Sequence, residues 1–201
     1  MDMCGRYCID WEDHPEELLR IVAVLDGKLS PEDRARVKTS GEIFPTDIVP
    51  VLAGKQVVPM QWSFSLDGSR RVINARAETV GQKSLFRGAL NAARCLIPAS
   101  GYYEWRKHTD GHASGTGQKY LLRDREPMLY MAGLYRREPG NPFPTFVILT
   151  RSAASSVAFL HDRMPVFLRG EARREWLLGT HPEALLRKAQ ADDPVLQLRP
   201  V

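Results

Sequence analysis

The feature that most restricts the fold is a rhythm of short extended runs broken by turn residues. Residues 4–9, 48–52, 56–64, 71–77, 95–98, 101–105, 119–122, 129–135 and 145–150 each read as a strand. Helical spacing is confined to a few stretches. Leu18, Ile21, Val22 and Leu25 recur at helix period over residues 15–25, which end at Gly27. Ser30 and Pro31 open a second helix over 31–37, as cap and first helical residue. Residues 84–93, 153–160 (capped by Ser152), 171–178 and 182–189 read as the remaining helices. Strands and helices do not alternate regularly, so a doubly wound parallel sheet is excluded, as is a phosphate-binding glycine loop of either common type. The expectation is an α+β fold: one compact domain over 1–201, with a strongly curved, barrel-like, mostly antiparallel sheet flanked by short helices.

A chain of 201 residues with 43% hydrophobic content can bury a core. Neither an internal repeat nor a linker divides it, and residues 111–117 read as a hairpin tip. The net charge of +4 permits a nucleic-acid partner without demanding one. Cys4, Cys8 and Cys95 do not suit a disulfide framework, and neither a signal peptide nor a membrane span is expected. A monomeric protein of the reducing cytoplasm is expected. No metal site is expected: Cys4 and Cys8 are wrongly spaced for a zinc knuckle, and Asp110-Gly111 signals a turn between His108 and His112.

Four segments could carry chemistry. In a strand, Cys4, Arg6, Cys8 and Asp10 share one face and Gly5, Tyr7 and Ile9 the other. Cys4 is then either a small packed residue or a thiol made reactive by the neighbouring guanidinium. As the first residue of a mature chain it would also hold an α-amine, with a pKa of about 7.7–8.0. Amine and thiol on adjacent carbons can trap an aldehyde as a Schiff base and then close a thiazolidine. Over residues 72–79 the alternation sets Asn74, Arg76 and Glu78 against Ile73, Ala75 and Ala77. That polar face is either merely wet or lines a cleft, with arginine suited to a phosphate. Glu104 is a lone carboxylate in the aromatic run Gly101-Tyr102-Tyr103-Glu104-Trp105. At an exposed edge it would be inert, whereas burial would raise its pKa and suit it to proton transfer. His161 follows the expected 153–160 helix, whose C-terminus would favour the protonated ring, and Arg163 is available for an anion.

Together these segments resemble the SRAP family, the SOS-response-associated peptidases or abasic-site-shielding proteins. The resemblance runs from Cys4-Gly5-Arg6-Tyr7 through Asn74-Ala75-Arg76-Ala77-Glu78 and Gly101-Tyr102-Tyr103-Glu104-Trp105 to His161-Asp162-Arg163-Met164-Pro165, in order and over nearly the whole chain. Pro45 and Trp62 are similar to the family's proline segment and motif tryptophan. The resemblance implies that Cys4 crosslinks to an abasic site in single-stranded DNA. It implies that Asn74 bonds the opened sugar, that Glu104 shuttles protons, and that His161 acts on the sugar hydroxyl or the leaving phosphate. Arg6, Arg76 and Arg163 would hold phosphates, with Pro45 and Trp62 near the bases. No cofactor is implied. Two positions depart from the pattern. Met1-Asp2-Met3 precedes Cys4, where the family usually has the initiator methionine alone. Ser63 follows Trp62, where glycine is common.

Two other functions use parts of the same residue set. A cysteine hydrolase of the N-terminal-nucleophile type would use Cys4, Glu104 and His161 on a peptide or small amide. A non-catalytic single-strand-binding module would need only the arginines and aromatics, and would bind reversibly.

Overall fold

The structure, a computed structural model, describes residues 5–11, 15–67, 69–106, 117–126 and 128–201. The chain begins with β1 (Tyr7–Ile9), α1 (Pro15–Asp26), α2 (Pro31–Arg36), β2 (Gly41–Ile43), β3 (Ile48–Ala53) and β4 (Gln56–Trp62). It continues through β5 (Phe64–Ser65), β6 (Arg71–Val72), β7 (Asn74–Arg76), α3 (Ser84–Ala92), β8 (Arg94–Ala99), β9 (Gly101–Trp105) and β10 (Lys119–Arg123). It closes with β11 (Leu129–Arg136), β12 (Thr145–Ser152), β13 (Arg163–Pro165), α4 (Glu171–Leu178), α5 (Pro182–Ala191) and β14 (Gln197–Pro200).

The expected helices follow their sequence signals. Leu18, Ile21, Val22 and Leu25 form the buried stripe of α1, which packs on β3 and β4. Ser30 caps α2 by accepting the Asp33 N–H at 3.1 Å, and Pro31 occupies its first turn. One expected helix is absent. Residues 155–160 form hydrogen-bonded turns, and Ser152, its expected cap, ends β12 instead. Ser155 there bonds Asp193 through both its N–H and its hydroxyl. That local side-chain bonding competes with regular helix. All of the expected hairpin tip except Gly117 lies outside the described residues.

The strands form a curled, mostly antiparallel sheet system. One five-stranded sheet runs β14-β10-β9-β1-β2. The larger sheet runs β11-β8-β3-β4-β12, and β11 also pairs with β12, so these strands close on themselves. The closure needs one parallel contact, β12 with β4 (Phe146↔Trp62). Farther along, β12 pairs in parallel with β7 (Ile148↔Asn74) and antiparallel with β13 (Ser152↔Arg163). Thus β12 gathers two of the segments singled out in the sequence, while β1 and β9 gather the other two.

The core lies inside this closure and between the two sheets. Trp62, Phe146, Met60, Leu96, Ile97 and Trp176 are among its fully enclosed side chains. Gly133 of β11 lies opposite Cys95 on one side and Ile148 on the other. A Cβ there would fall 2.9 Å from the Val147 carbonyl oxygen and 2.4 Å from Ile97 Cδ1. The strand backbone cannot retreat without breaking a ladder. Gly133→Ala is therefore expected to cost about 1–3 kcal/mol through overpacking, read from the urea midpoint. An unchanged midpoint would show that the closure tolerates a side chain at that point.

Candidate functional site

The site is built from the pairing of β1 with β9. Tyr7 lies opposite Tyr102, and the Tyr103 N–H donates to the Arg6 carbonyl at 2.9 Å. One step farther in the same antiparallel register brings Gly5 alongside Glu104. Cys4 itself lies outside the described residues. In the sequence it precedes Gly5 by one peptide unit, about 3.8 Å between Cα atoms.

Alternation along β1 follows the sequence pattern. Tyr7 and Ile9 enter the main core, while Cys8 packs on the other face with Tyr103 and Leu121. Burial pushes the Cys8 thiol up to about 11, outweighing the opposing contact with Tyr103. Complete burial pushes the Cys95 thiol up further still. Neither has thiolate character near neutral pH, so both are poor nucleophiles. Glu104 is only 5% exposed, next to last in β9 and paired with Tyr120 of β10. That excludes the inert, exposed-edge reading of this carboxylate.

From Tyr7 a line of contacts crosses to the second sheet. Its ring lies 5.4 Å from the Trp62 ring, which in turn stacks on Phe146 at 6.3 Å. The Trp62 indole N–H donates to the Ile73 carbonyl at 3.0 Å, fixing the backbone just before Asn74. Trp62 is fully buried. This corrects the expectation of a base-stacking plane: protein rings already flank it, and its work is to hold β1, β4 and Asn74 in one frame.

Asn74 and Arg76 line a cleft of about 360 Å³ beside α3. Arg71, Lys83 and Thr150 also line it, with Val72, Leu85 and Phe86 supplying apolar surface. No carboxylate does. Arg76 is exposed and makes no ion pair among the described residues. Such a cleft suits an anionic chain carrying apolar or aromatic groups.

The expected phosphate-holding role of Arg163 is corrected. Its guanidinium is only 9% exposed and forks onto Glu78, with Nη1 at 2.5 Å from Oε1 and Nη2 at 2.7 Å from Oε2. Nη2 also donates to the Thr150 carbonyl at 2.8 Å, and the Ser152 N–H donates to Glu78 Oε1 at 3.2 Å. The fork is thus filled by the protein's own carboxylate, and the pair clamps β13 and the end of the β7 segment onto β12. His161 follows turns rather than a helix, so no helix dipole acts on it. Its ring is largely covered, with Nδ1 at 3.1 Å from the Arg163 N–H and 2.8 Å from Asp162 Oδ1.

Arg6 pairs with Glu42 at 3.3 Å and lies over the rings of Phe44 (4.4 Å) and Trp105 (5.0 Å). Lys119 also contacts Glu42 and lies 3.9 Å from the Tyr103 ring centre, and Lys38 lies 5.1 Å from Phe44. Phe44 is 39% exposed, beside Pro45 in a turn closed by the Asp47 N–H on the Phe44 carbonyl at 3.0 Å. Sequence reading missed this aromatic and basic surface. Its parts come from four strands and loops, and only the sheet order joins them.

The sheet architecture recurs in solved structures. A phage-related protein from Bordetella bronchiseptica superposes with a TM-score of 0.73 at 26% identity, covering 98% of this chain and 94% of that one. A protein from Bacteroides thetaiotaomicron gives 0.71 at 22% identity over 90% of this chain and 87% of its own. The family model described as SOS response associated peptidase (SRAP) matches residues 3–201, and the chain belongs to that family. Curated relatives include the abasic site processing protein YoqW of Bacillus subtilis, 37% identical over 131 residues, or 61% of this chain and 57% of the relative. Abasic site processing protein HMCES of Gallus gallus is 33% identical over 52% of this chain and 37% of its own length. YedK of Escherichia coli, likewise named an abasic site processing protein, is 32% identical over 53% and 47%. The matches span about half the length of these relatives. No helix among the described residues is long and apolar enough to cross a membrane.

The Glu78–Arg163 clamp has a pH signature. Burial alone would raise the Glu78 carboxyl, but the Arg163 hydrogen bonds and charge outweigh it and hold the group below its ordinary 4.5. A carboxylate depressed in the folded state stabilises fully above its unfolded pKa and loses that contribution as pH falls through the folded one. Glu78→Gln should therefore cost about 1–3 kcal/mol at pH 7, the partial exposure of Glu78 reducing the value for a fully buried pair. The gap from wild type should shrink below about pH 4. Urea midpoints at pH 7 and pH 3 check this, and a gap equal at both would remove the ionised pair as its source.

Proposed function

We propose that this protein processes abasic sites in single-stranded DNA by forming a covalent thiazolidine through Cys4. The observation that carries the reading is the β1–β9 register, which sets Gly5, the neighbour of Cys4, beside the buried Glu104. Burial of Cys8 and Cys95, which raises both thiols, supports Cys4 as the reactive cysteine. The cleft around Asn74, with its cations and no carboxylate, supports an anionic strand as the partner.

The chemistry has two stages. Hydrolysis of the Met3–Cys4 peptide bond exposes the Cys4 α-amine, whether it removes residues 1–3 by self-processing or a lone initiator methionine where translation starts at Met3. The amine adds to the C1′ aldehyde of the ring-opened sugar, and loss of water leaves an imine. The thiolate then adds to the imine carbon, the nitrogen takes up a proton, and a five-membered ring closes. Glu104 carries the protons in both directions. Asn74 hydrogen-bonds the opened sugar, and His161 serves its hydroxyl or the leaving phosphate. Arg6 and Arg76 hold flanking phosphates, while Pro45 with its neighbour Phe44 abuts the bases. A lyase outcome requires the crosslink to reverse after strand release, through the same Glu104 proton.

Wild-type protein mixed with an abasic oligonucleotide should give an adduct that survives denaturing electrophoresis, and intact strands should give none. Cys4→Ala should abolish it, and the mass of active protein should correspond to a chain starting at Cys4. Normal crosslinking by Cys4→Ala, or full activity in a protein retaining Asp2 and Met3, would sink the mechanism. Turnover of amide substrates without DNA would point instead to a cysteine hydrolase. Glu104→Gln should slow adduct formation roughly 100-fold or more at nearly unchanged DNA affinity; equal rates would remove Glu104 from the chemistry.

A further inference from the structure

Ser63 is fully buried and holds φ at +133°, a backbone conformation that favours glycine. The strain is fixed in place on both sides. The Ser63 N–H donates to the Phe146 carbonyl at 2.9 Å, and the preceding Trp62 is locked by its rings and its indole bond. Glycine would relieve the strain without disturbing either bond. What serine adds is a hydroxyl, and that hydroxyl accepts from Arg71 Nη1 at 3.2 Å. Arg71 is otherwise exposed, makes no ion pair among the described residues, and lines the cleft of Asn74, Arg76 and Lys83. A neutral acceptor orients the guanidinium without cancelling its charge.

We propose that Ser63 is a positioning residue that holds Arg71 at the cleft as an additional contact to the DNA backbone, with the backbone strain at Ser63 retained for that purpose. The inference rests on single-stranded DNA being the partner and extends the set of phosphate contacts by a residue on β6. The long arginine side chain is otherwise free to sample many rotamers, so fixing one arm lowers the ordering cost on binding. Strained backbone maintained at a binding surface fits this economy of function over stability.

The test measures affinity of the full chain for intact, non-abasic single-stranded oligonucleotide against salt, alongside thermal unfolding. Arg71→Ala should weaken binding and flatten the log–log salt slope by about 0.7, one phosphate on a single strand. Ser63→Gly should raise the melting temperature by roughly 2–4 °C yet weaken binding about threefold, in proportion to the lost orientation of one contact. Ser63→Ala keeps the strain and loses the hydroxyl, so it should weaken binding similarly without the thermal gain. A merely structural serine would not couple a gain in stability to a loss in affinity. An unchanged salt slope in Arg71→Ala, or wild-type affinity in both Ser63 variants, overturns the proposal. Adduct formation on abasic strands is read separately. A wild type that binds intact strands but forms no adduct defeats the crosslinking mechanism alone, whereas one that binds no DNA defeats both.

Discussion

The pairing of β1 with β9 is the constraint on which the rest of the structure depends. Strand pairing has a side-chain period of two, so a slip of one residue would carry Tyr7 and Ile9 out of the core. The same slip would bring Cys8 in and move Gly5 away from Glu104. Burial of Tyr7 against Trp62 and of Tyr102 against Phe167 holds the register from both strands. The hydrophobic core thereby dictates which residue of the N-terminal segment adjoins the carboxylate. Packing energy is converted into placement of Gly5, the sequence neighbour of Cys4, beside that carboxylate.

Several family-motif residues serve this placement. Trp62 links the Tyr7 ring to the backbone before Asn74. Glu78 and Arg163 bind the second and fourth motifs to β12, with Thr150 between them. Breaking such a pair by removing one partner strands the other charge, which costs more than the pair contributes when intact. Two non-glycine residues at positive φ, Thr46 and Ser63, lie on either side of this frame: the Thr46 N–H bonds the Trp62 carbonyl, and Ser63 follows Trp62 in the chain. Strain gathers where the frame meets the proposed DNA-binding face, as expected where geometry is held for function.

Features written in local patterns were legible in the sequence. The stripe of α1, the Ser30 cap, the β1 alternation and the inward turn of Ala75 and Ala77 all follow from spacing alone. The curled α+β architecture followed from many short strands with few helices. What escaped depends on partners distant in sequence. The parallel β12–β4 contact that closes the larger sheet leaves no local mark. Residues 153–160 have helical spacing, yet Asp193 captures Ser155 from beyond the segment. Arg163 looked like a free cation because Glu78 lies 85 positions away. Arg71 carried no signal at all, since only the fold brings it to Ser63 and the cleft.

The placement of Cys4 is tested most directly by a crystal structure of the protein crosslinked to an abasic oligonucleotide. The account predicts a chain beginning at Cys4, with its sulfur and nitrogen both bonded to the sugar carbon. That ring should sit beside Glu104, with Asn74 in reach of the opened sugar and the strand running over the Arg71–Arg76 cleft. Attachment through a lysine, or a linked Cys4 lying remote from Glu104, would contradict it.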